Sequence, residues 1–263
     1  MTDEPLRISR DARGVATVTL TRPTKHNAMN AAMIAALSEA AETLAADPGI
    51  RVVVLTGEGP SFCAGGDLAW MRAQAEQDRA GKMREARTLA RMLGLWNAFP
   101  KPVIGRVHGA AYGGGIGLVA VCDIVIAEEG TRFALTETRL GLIPATIGPF
   151  VVSRMGEAFA RQVFFTARPF DAAFLQRAGL VARICTSEGM AEAVETEIRA
   201  ALECSPQAVM AAKSLCLDLA GMNPVAQAEK TAMALADCWE TDDAQEGIAA
   251  FFAREMPSWR KQS

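Results

Sequence analysis

The chain has 263 residues, of which 50% are hydrophobic, and its formal net charge is −3 at pH 7. This length supports one large domain or one domain with an appendage, and the near-neutral charge gives no electrostatic basis for binding nucleic acid. The sequence contains no run of about 18 apolar residues, so we expect no membrane span. The acidic segment Met1-Thr2-Asp3-Glu4-Pro5 lacks an apolar core, so we expect no secretory signal.

The cysteines and histidines indicate a protein of a reducing compartment without a bound metal. Six cysteines occur, and none shows a spacing such as C-x-x-C that would suggest a metal site. Most lie among apolar residues, where cysteine acts as a small hydrophobic side chain. Only His26 and His108 are available as imidazole ligands, which excludes a histidine-rich metal site. We therefore expect a cytoplasmic protein.

The hydrophobic pattern predicts alternating strands and helices as far as about Ile184. Residues 15–20 alternate between apolar and polar side chains, as in a half-buried strand, whereas residues 52–55 are apolar throughout, as in a strand covered on both faces. Helical stripes begin near Asn30 and near Leu89. The polar residues 74–82 predict a mobile connection. The remaining predicted elements of this part are strands at residues 103–107, 123–127, 132–135 and 180–184 and helices at residues 153–166 and 171–178.

From about residue 187 onward the pattern is helical only. Ser187 is the expected N-cap of a helix that starts near residue 190, and Ser205-Pro206 opens a second helix with proline in its first turn. Residues 225–239 and 243–252 predict two further helices. We therefore predict an α/β fold in which residues 1–186 form the core that carries the site. Residues 187–263 form a helical region that packs against neighbouring subunits.

A glycine-rich stretch between Arg106 and Pro144 organises the chain. There an apolar strand leads into Gly113-Gly114-Gly115, and a short apolar helix follows at once. Consecutive glycines let the backbone approach a ligand closely, and a helix N-terminus offers free N–H groups and the positive end of the helix dipole. A second loop, Ala64-Gly65-Gly66-Asp67, also precedes a helix. Two backbone N–H groups that converge from such loops make an oxyanion hole, which stabilises an oxygen that gains negative charge.

The residues alone also suggest two other interpretations of the glycine cluster. Residues 115–120 fit the dinucleotide fingerprint G-x-G-x-x-A, but only a few residues separate them from the strand at Asp123. A βαβ crossover needs about 10–12 residues, so this interpretation fails on length. The cluster could also serve only to pack a helix tightly on a strand.

Several different motifs follow one another along the chain in an order and spacing typical of one protein family. They are Ser61-Phe62-Cys63-Ala64-Gly65-Gly66-Asp67-Leu68, Lys101-Pro102-Val103-Ile104, Gly113-Gly114-Gly115, Cys122-Asp123, and Glu137 followed by Gly141-Leu142-Ile143-Pro144. Together they resemble the enoyl-CoA hydratase/isomerase (crotonase) superfamily, and the resemblance extends from the strand at Val15 into the C-terminal helices. It implies a spiral of ββα units and assembly into homotrimers or hexamers. It also implies an acyl-CoA thioester as substrate, so that coenzyme A belongs to the substrate and no separate cofactor is needed.

Within this superfamily, residues 67–71 and 115–120 look most like bacterial methylglutaconyl-CoA and carboxygeranoyl-CoA hydratases, which act in leucine and acyclic-terpene breakdown. The resemblance places the two oxyanion-hole N–H groups at Gly66 and Gly114, where they would hold the thioester carbonyl, and it makes Glu137 the catalytic acid or base. Asp67 is also expected to cap the helix after its loop. The residues that the resemblance places at the substrate are Lys25, Ala28, Ala64, Gly66, Asp67, Leu68, Tyr112, Gly114, Gly117, Thr136 and Phe252, the last closing over the nucleotide.

One position departs from the family pattern. Hydratases of this family use two glutamates, and the first follows the glycine triplet by two positions, where this chain has Gly117. Glu137 matches the second, and its apolar setting predicts a partial burial that would raise its pKa. A single carboxylate suits proton transfer between C2 and C4 of an isomerase substrate. It also suits hydration if Glu137 takes the proton from water and returns it to C2.

We therefore predict a hydratase that adds water to a 2-enoyl-CoA, with 3-methylglutaconyl-CoA as a candidate substrate. The alternatives are an enoyl-CoA isomerase that uses Glu137 alone and a non-catalytic protein that binds CoA esters. Some further residues fit either a functional or a purely structural role: Tyr112, Thr136 and Thr146 as helpers that position water, and Arg72 and Arg139 as partners of a second carboxylate on the substrate.

Overall fold

A computed structural model describes residues 4–260, which form two β-sheets and ten α-helices. The strands are β1 (Leu6–Arg10), β2 (Val15–Leu20), β3 (Val52–Gly57), β4 (Val103–Val107), β5 (Ala110–Tyr112), β6 (Ile124–Glu128), β7 (Arg132–Ala134), β8 (Phe170–Asp171) and β9 (Arg183–Cys185). The helices are α1 (Ala31–Ala46), α2 (Leu68–Ala75), α3 (Arg79–Asn97), α4 (Gly114–Ala120), α5 (Gly148–Thr166), α6 (Ala172–Arg177), α7 (Met190–Leu202), α8 (Pro206–Asp218), α9 (Pro224–Trp239) and α10 (Asp242–Ala253). Within residues 4–260, no helix has the length and apolar character needed to cross a membrane.

The larger sheet has the strand order β1-β2-β3-β4-β6-β9. Its first pair is antiparallel and all later pairs are parallel, with Val53 of β3 opposite Val103 of β4. Apolar cores lie on both faces of this sheet, one formed with α1 and α3 and the other with α7. Val53 and Leu55 enter the first core, whereas Val52 and Val54 enter the second. Since both faces of β3 are covered, the strand is apolar throughout, as the sequence predicts.

The smaller sheet has the order β5-β7-β8, in which β5 and β7 run parallel. In chain order, β4-β5-α4 is followed by β6-β7-α5, so each pass of the chain adds one strand to each sheet and then a helix. This is the repeating ββα order of the predicted spiral. The two passes also position the site, because β5 leads into the glycine cluster and β7 leads toward Glu137.

The prediction of a mobile connection at residues 74–82 is wrong. Helix α2 continues to Ala75, and α3 already begins at Arg79. Asp78 is the N-cap of α3, and its side chain accepts a hydrogen bond from the N–H of Gly81 at 2.7 Å. The residues here are mostly exposed, so their polar character reflects a solvated helix surface and not an absence of helix.

The prediction that Ser187 caps the next helix is also wrong. The N-cap position of α7 belongs to Gly189, which has no capping side chain, and the hydroxyl of Thr186 accepts a hydrogen bond from its N–H at 3.2 Å. The prediction for α8 is confirmed, because Ser205 accepts a hydrogen bond from the N–H of Ala208 at 3.0 Å. A Ser-Pro pair thus predicts a helix start better than a serine alone, since proline also fixes the backbone for the first turn.

Three strands were not predicted, and the cysteine prediction holds only in part. Strand β1 is an edge strand with mostly exposed side chains, and β5 and β8 have only three and two residues, so none of them has a strong hydrophobic pattern. Cys63 and Cys122 are buried as expected, but Cys204 and Cys216 are exposed. The exposed pair lies at the end of α7 and on α8, where helices of mixed polarity carry cysteine on their outer surface.

Arg51 joins the C-terminal helices to the core. Its guanidinium donates hydrogen bonds to the carbonyl oxygens of Leu202 and Cys204, each at 2.8 Å, and of Trp259 at 2.9 Å. The helical character of residues beyond 187 agrees with the sequence pattern. The division of the chain at residue 186 into two domains stays a prediction.

Candidate active site

The two glycine loops lie side by side because β5 extends along the first of them. The N–H of Cys63 donates to the carbonyl oxygen of Ala110 at 3.1 Å, and the N–H of Tyr112 donates to the carbonyl oxygen of Cys63 at 2.9 Å. On the other side, the N–H of Gly113 donates to the carbonyl oxygen of Ala134 at 2.9 Å. The glycine cluster is therefore fixed between the first loop and β7, the strand that leads to Glu137.

The two loops lie so close together that residues with side chains would not fit where the loops meet. A Cβ atom on Gly115 would lie 2.3 Å from the carbonyl oxygen of Cys63, and one on Gly65 would lie 2.8 Å from the carbonyl oxygen of Tyr112. Gly65 also has φ +91°, a backbone conformation that other residues rarely adopt. The glycines are thus needed to bring the two loops into contact.

Met29 lies between the two predicted oxyanion-hole donors. Its N–H donates to the carbonyl oxygen of Gly65 at 2.7 Å, and its carbonyl oxygen accepts from the N–H of Asp67 at 2.8 Å. These two bonds engage the carbonyl oxygen of Gly65 and the N–H of Asp67, which flank Gly66. The N–H of Gly66 itself has no acceptor within residues 4–260. The N–H of Gly114, the first residue of α4, has none there either, and a Cβ on Gly114 would lie 2.3 Å from Cε of Met29. Met29 therefore contacts the Gly66 loop through its backbone and Gly114 through its side chain.

A buried ion pair braces the loop of Gly66. Arg22 donates to Oδ2 of Asp67 at 2.9 Å and also donates to the carbonyl oxygen of Ala28. The side chains of Arg22 and Asp67 are only 10% and 12% exposed. Oδ1 of Asp67 accepts from the N–H of Ala69 at 2.9 Å, so the predicted helix cap is confirmed. The hydrogen bond from Arg22 is the main cause that lowers the pKa of Asp67, with smaller contributions from the cap.

Asn27 completes this bracing, which we call the polar latch and define as Arg22, Asn27 and Asp67. The buried side chain of Asn27 accepts from the N–H of Arg22 at 2.9 Å and donates to the carbonyl oxygens of Glu58 and Ser61 at 2.9 and 2.8 Å. Neither Arg22 nor Asn27, nor the role of Met29, was predicted from the sequence. No local pattern marks them, because their partners lie in a loop more than 30 residues away.

Glu137 lies beside the glycine cluster. It begins a short 3-10 helix, Glu137–Leu140, and its Oε1 would be 3.2 Å from a Cβ on Gly113. Its Oε2 is buried and has no hydrogen-bond partner among the residues that the structure describes. Burial raises the pKa of Glu137 above its ordinary value, and a hydrogen bond with its own backbone opposes this only in part. A carboxyl group with these properties is a good candidate for an acid or base near neutral pH.

A groove of about 510 Å³ leads along the first loop. It brings together six of the residues predicted to contact substrate: Lys25, Ala28, Ala64, Gly66, Asp67 and Leu68. Thr24, His26 and Ala69 also line it and were not predicted. His26 is further positioned by a contact of 3.0 Å between its Nδ1 and Oγ of Ser61. The groove is therefore an extension of the site on the side of Gly66.

The other predicted site residues lie outside this groove. Tyr112 is half-buried at the end of β5, Thr136 is exposed immediately before Glu137, and Gly117 is buried within α4. Phe252 lies on α10 with 80% of its surface exposed, and the single chain does not bring it to the groove. Thr146 is half-buried shortly before α5.

The surroundings of the two candidate arginines, Arg72 and Arg139, and of His108 show no special feature. Arg72 and Arg139 are both exposed. Nε2 of His108 contacts the carbonyl oxygen of Gly59 at 2.9 Å. Among residues 4–260, no three His, Cys, Asp or Glu side chains group as a possible metal site. The absence of a separate cofactor stays a prediction.

Known proteins are similar to this chain in sequence and in structure over almost its whole length. The sequence profile of the family described as Enoyl-CoA hydratase/isomerase matches residues 10–262. A 2,3-dehydroadipyl-CoA hydratase of Escherichia coli K12 is 34% identical over 263 aligned positions, which cover 97% of this chain and 98% of that protein. The crystal structure of an enoyl-CoA hydratase from Shewanella pealeana superposes with a TM-score of 0.94 at 35% identity, covering 98% of this chain and 97% of the other. That of an enoyl-CoA hydratase from Mycobacterium smegmatis gives 0.92 at 33% identity, covering 97% and 98%.

These similarities confirm the predicted α/β fold of the crotonase type and the resemblance found in the motifs. They extend across the ββα core and the C-terminal helices alike. The chain belongs to the enoyl-CoA hydratase/isomerase family.

Proposed function

We propose that this protein adds water to the double bond of a 2-enoyl-CoA thioester, with Glu137 as the only carboxylate that handles protons. The observation that carries this proposal is the position of Glu137 beside Gly113. Within residues 4–260, its buried Oε2 has no hydrogen-bond partner, and the N–H of the adjacent Gly114 has no acceptor. The family membership supports a CoA ester as the substrate.

The N–H groups of Gly66 and Gly114 hold the thioester carbonyl oxygen in this proposal. When the oxygen of water bonds to C3, the electrons of the double bond move toward C1, and the thioester becomes an enolate. Two donors aimed at that oxygen stabilise the enolate more than the ground-state carbonyl, which lowers the barrier. Removing one such donor costs about 10²- to 10³-fold in rate in comparable sites.

Glu137 moves the proton. As a carboxylate it accepts a proton from the attacking water, and as a carboxylic acid it returns that proton to C2, so the group ends each turnover in its starting state. A pKa raised by burial suits this exchange, because the carboxylate is then a stronger base toward the attacking water and its pKa lies closer to neutral pH. The lysine-bearing loop at Lys25 and the groove beside it hold the CoA portion.

We further propose that the acyl chain ends in a second carboxylate, as in 3-methylglutaconyl-CoA. The Escherichia coli relative is named for 2,3-dehydroadipyl-CoA, which also carries a distal carboxylate. Arg72 and Arg139 are exposed and follow Gly66 and Glu137 closely in the chain, so either is available to meet that charge.

An enoyl-CoA isomerase is the second candidate. The observation that favours it is the apolar surrounding of Gly117, which leaves no second carboxylate to help hold a water molecule. In this reaction Glu137 would remove a proton from C2 of a 3-enoyl-CoA and deliver it to C4, with the same enolate held by the same donors.

An absorbance assay of four substrates tests the proposal: crotonyl-CoA, 3-methylglutaconyl-CoA, 2,3-dehydroadipyl-CoA and a 3-enoyl-CoA. We expect hydration of at least one 2-enoyl ester, fastest for one with a distal carboxylate, and a loss of at least about 10³-fold in Glu137→Gln. Turnover of the 3-enoyl ester alone would establish the isomerase. Binding of CoA esters without any turnover would establish the non-catalytic alternative.

Two controls accompany this assay. Glu157→Gln makes the same chemical change in an exposed side chain and should leave activity unchanged. Thermal unfolding should show that Glu137→Gln is at least as stable as the wild type at pH 7. Because burial raises the pKa of Glu137, its contribution to stability is lost as the pH rises through that pKa, and glutamine carries no such cost.

We propose that the chain assembles as a homotrimer or a hexamer through its C-terminal helices. Large apolar side chains are exposed on α8, α9 and α10: Met210, Leu217, Val225, Met233, Leu235, Trp239, Ile248, Phe251 and Phe252. Apolar surface of this extent is typical of protein interfaces. Light scattering after size-exclusion chromatography should give three or six times the chain mass, and a monomer would contradict the assembly. A cytoplasmic location stays a prediction.

A further inference from the structure

Gly117, one turn along α4 from the glycine cluster, faces a wall of apolar side chains. A Cβ atom there would lie 2.5 Å from Cγ2 of Ile147, 3.2 Å from Cβ of Ile147 and 3.3 Å from Cδ1 of Leu93. Carbon atoms in folded proteins do not approach to 2.5 Å, so a side chain at this position would force Ile147 to shift. Ile147 is only 2% exposed and immediately precedes α5.

Ile147 is held firmly in this place. Isoleucine is branched at Cβ and therefore stiff about χ1, and its Cβ stays where it is when the side chain rotates. The carbonyl oxygen of Ile147 accepts hydrogen bonds from the N–H groups of Phe150 at 3.1 Å and Val151 at 3.0 Å, which fix the backbone at the start of α5. Room for a side chain at residue 117 would thus require a shift of α5 or a smaller residue at 147.

Residue 117 lies one helical turn from the residue that borders Glu137. The N–H of Gly117 donates to the carbonyl oxygen of Gly113 at 3.4 Å, and a Cβ on Gly113 would be 3.2 Å from Oε1 of Glu137. The 3-10 helix that Glu137 begins also packs against α5, which Ile147 immediately precedes. Ile147 and Leu93 therefore fill space that a side chain at residue 117 would need to reach Glu137.

We propose that Ile147 seals the space in which a polar side chain at residue 117 could act together with Glu137, and thereby keeps this pocket to one carboxylate. This inference rests on the proposed function, because Ile147 influences the reaction through the surroundings of Glu137. Ile147 is accordingly a positioning residue. Oε2 of Glu137, which is buried and has no hydrogen-bond partner within residues 4–260, agrees with a sealed, apolar pocket.

Thermal unfolding of single and double variants tests whether Ile147 seals the space beside residue 117, without an assay of activity. Gly117→Ala should lower Tm by about 5 °C, because its methyl group collides with Ile147. In an Ile147→Ala background the same change should lower Tm by much less, since the contact with Cγ2 at 2.5 Å is gone and the remaining contacts, at 3.2 and 3.3 Å, need only a small shift. Val163→Ala, a buried residue farther along α5, is the matched background in which the loss of about 5 °C should persist.

The functional arm uses Gly117→Glu with and without Ile147→Ala. On the 2-enoyl-CoA that the wild type hydrates, Gly117→Glu alone should be no faster than wild type. The double variant should exceed Ile147→Ala by about tenfold or more in kcat/KM. Its pH profile should show one additional ionisation, because two neighbouring carboxylates raise the pKa of one of them. Gly117→Gln/Ile147→Ala adds the volume without the charge and should add no ionisation.

Three results would overturn the proposal. The first is an equal loss of Tm from Gly117→Ala in the wild type and in the Ile147→Ala background. The second is a Gly117→Glu variant that is as stable as the wild type and already shows the additional ionisation. The third is a double variant no faster than Ile147→Ala. A wild type that turns over no enoyl-CoA would contradict the proposed function, and the thermal cycle would still decide whether Ile147 seals the site.

Discussion

The loop that contains Gly66 and the turn formed by Gly113–Gly115 supply equivalent N–H groups, but they are fixed by different forces. The loop is held by the polar latch, in which Arg22 and Asp67 form an ion pair with little exposure. The turn is held by backbone contacts so close that Gly115 has no room for a methyl group. We expect the loop at Gly66 to be sensitive to charge and that position to tolerate added volume, and we expect the reverse of the turn at Gly115.

The largest effect should come from adding one methyl group to the turn. Gly115→Ala places Cβ 2.3 Å from the carbonyl oxygen of Cys63, which is backbone and cannot rotate away. We expect a loss of about 3 kcal/mol or more in the free energy of unfolding, measured by chemical denaturation. Gly94→Ala is the matched control, because nothing lies within 4 Å of its Cβ position on α3, and it should stabilise the protein by about 0.5–1 kcal/mol. Equal stability of the two variants would remove the steric account of the turn.

The next largest effect should come from neutralising the latch. Asp67→Asn keeps an oxygen for the helix cap but leaves Arg22 without its charged partner. We expect a loss of about 1–3 kcal/mol in stability and of about 10- to 100-fold in kcat/KM, because the N–H of Gly66 is no longer held in position. Glu42→Gln makes the same kind of change in an exposed ion pair with Arg91 and should alter neither quantity measurably. An Asp67→Asn enzyme with full activity would show that the latch does not position the donor.

Lowering the pH should destabilise the loop that contains Gly66 before it destabilises the Gly113–Gly115 turn. Because Arg22 lowers the pKa of Asp67 in the folded state, the latch contributes fully above the ordinary pKa of about 4 and loses its contribution as the pH falls through the lowered value. The difference in unfolding free energy between wild type and Asp67→Asn should be constant from about pH 5 to 7 and shrink below about pH 4. Glu195, whose pKa Arg13 also lowers, is present in both proteins and cancels in this difference. A difference that stays constant to pH 3 would contradict the ion pair.

The smallest effect should come from adding a methyl group to the loop. A Cβ on Gly66 would lie 3.2 Å from Cγ and Sδ of Met71, a flexible side chain that can move aside. We expect Gly66→Ala to change stability by less than about 1 kcal/mol, in contrast to Gly115→Ala. A loss as large as that of Gly115→Ala would mean that both loops are fixed by packing.

The sequence predicted the turn far better than the latch. Three consecutive glycines before an apolar helix are a local signal, and the family motif predicts Gly66, Gly114 and Glu137 as site residues. Arg22, Asn27 and Met29 act through partners that folding brings close, so no spacing in the sequence reveals them. For the same reason, the absence of a glutamate at Gly117 was visible in the sequence, but the side chain that fills its volume was not.

The position of Met29 between the two donors has a consequence for amide hydrogen exchange. The N–H groups of Met29 and Asp67 are engaged in short hydrogen bonds, whereas those of Gly66 and Gly114 have no acceptor within residues 4–260. Neighbouring amides should therefore exchange at very different rates, slow at Met29 and Asp67 and fast at Gly66 and Gly114. Binding of a thioester should slow the fast pair selectively. Exchange would then report occupation of the site by any CoA ester, whether or not it reacts.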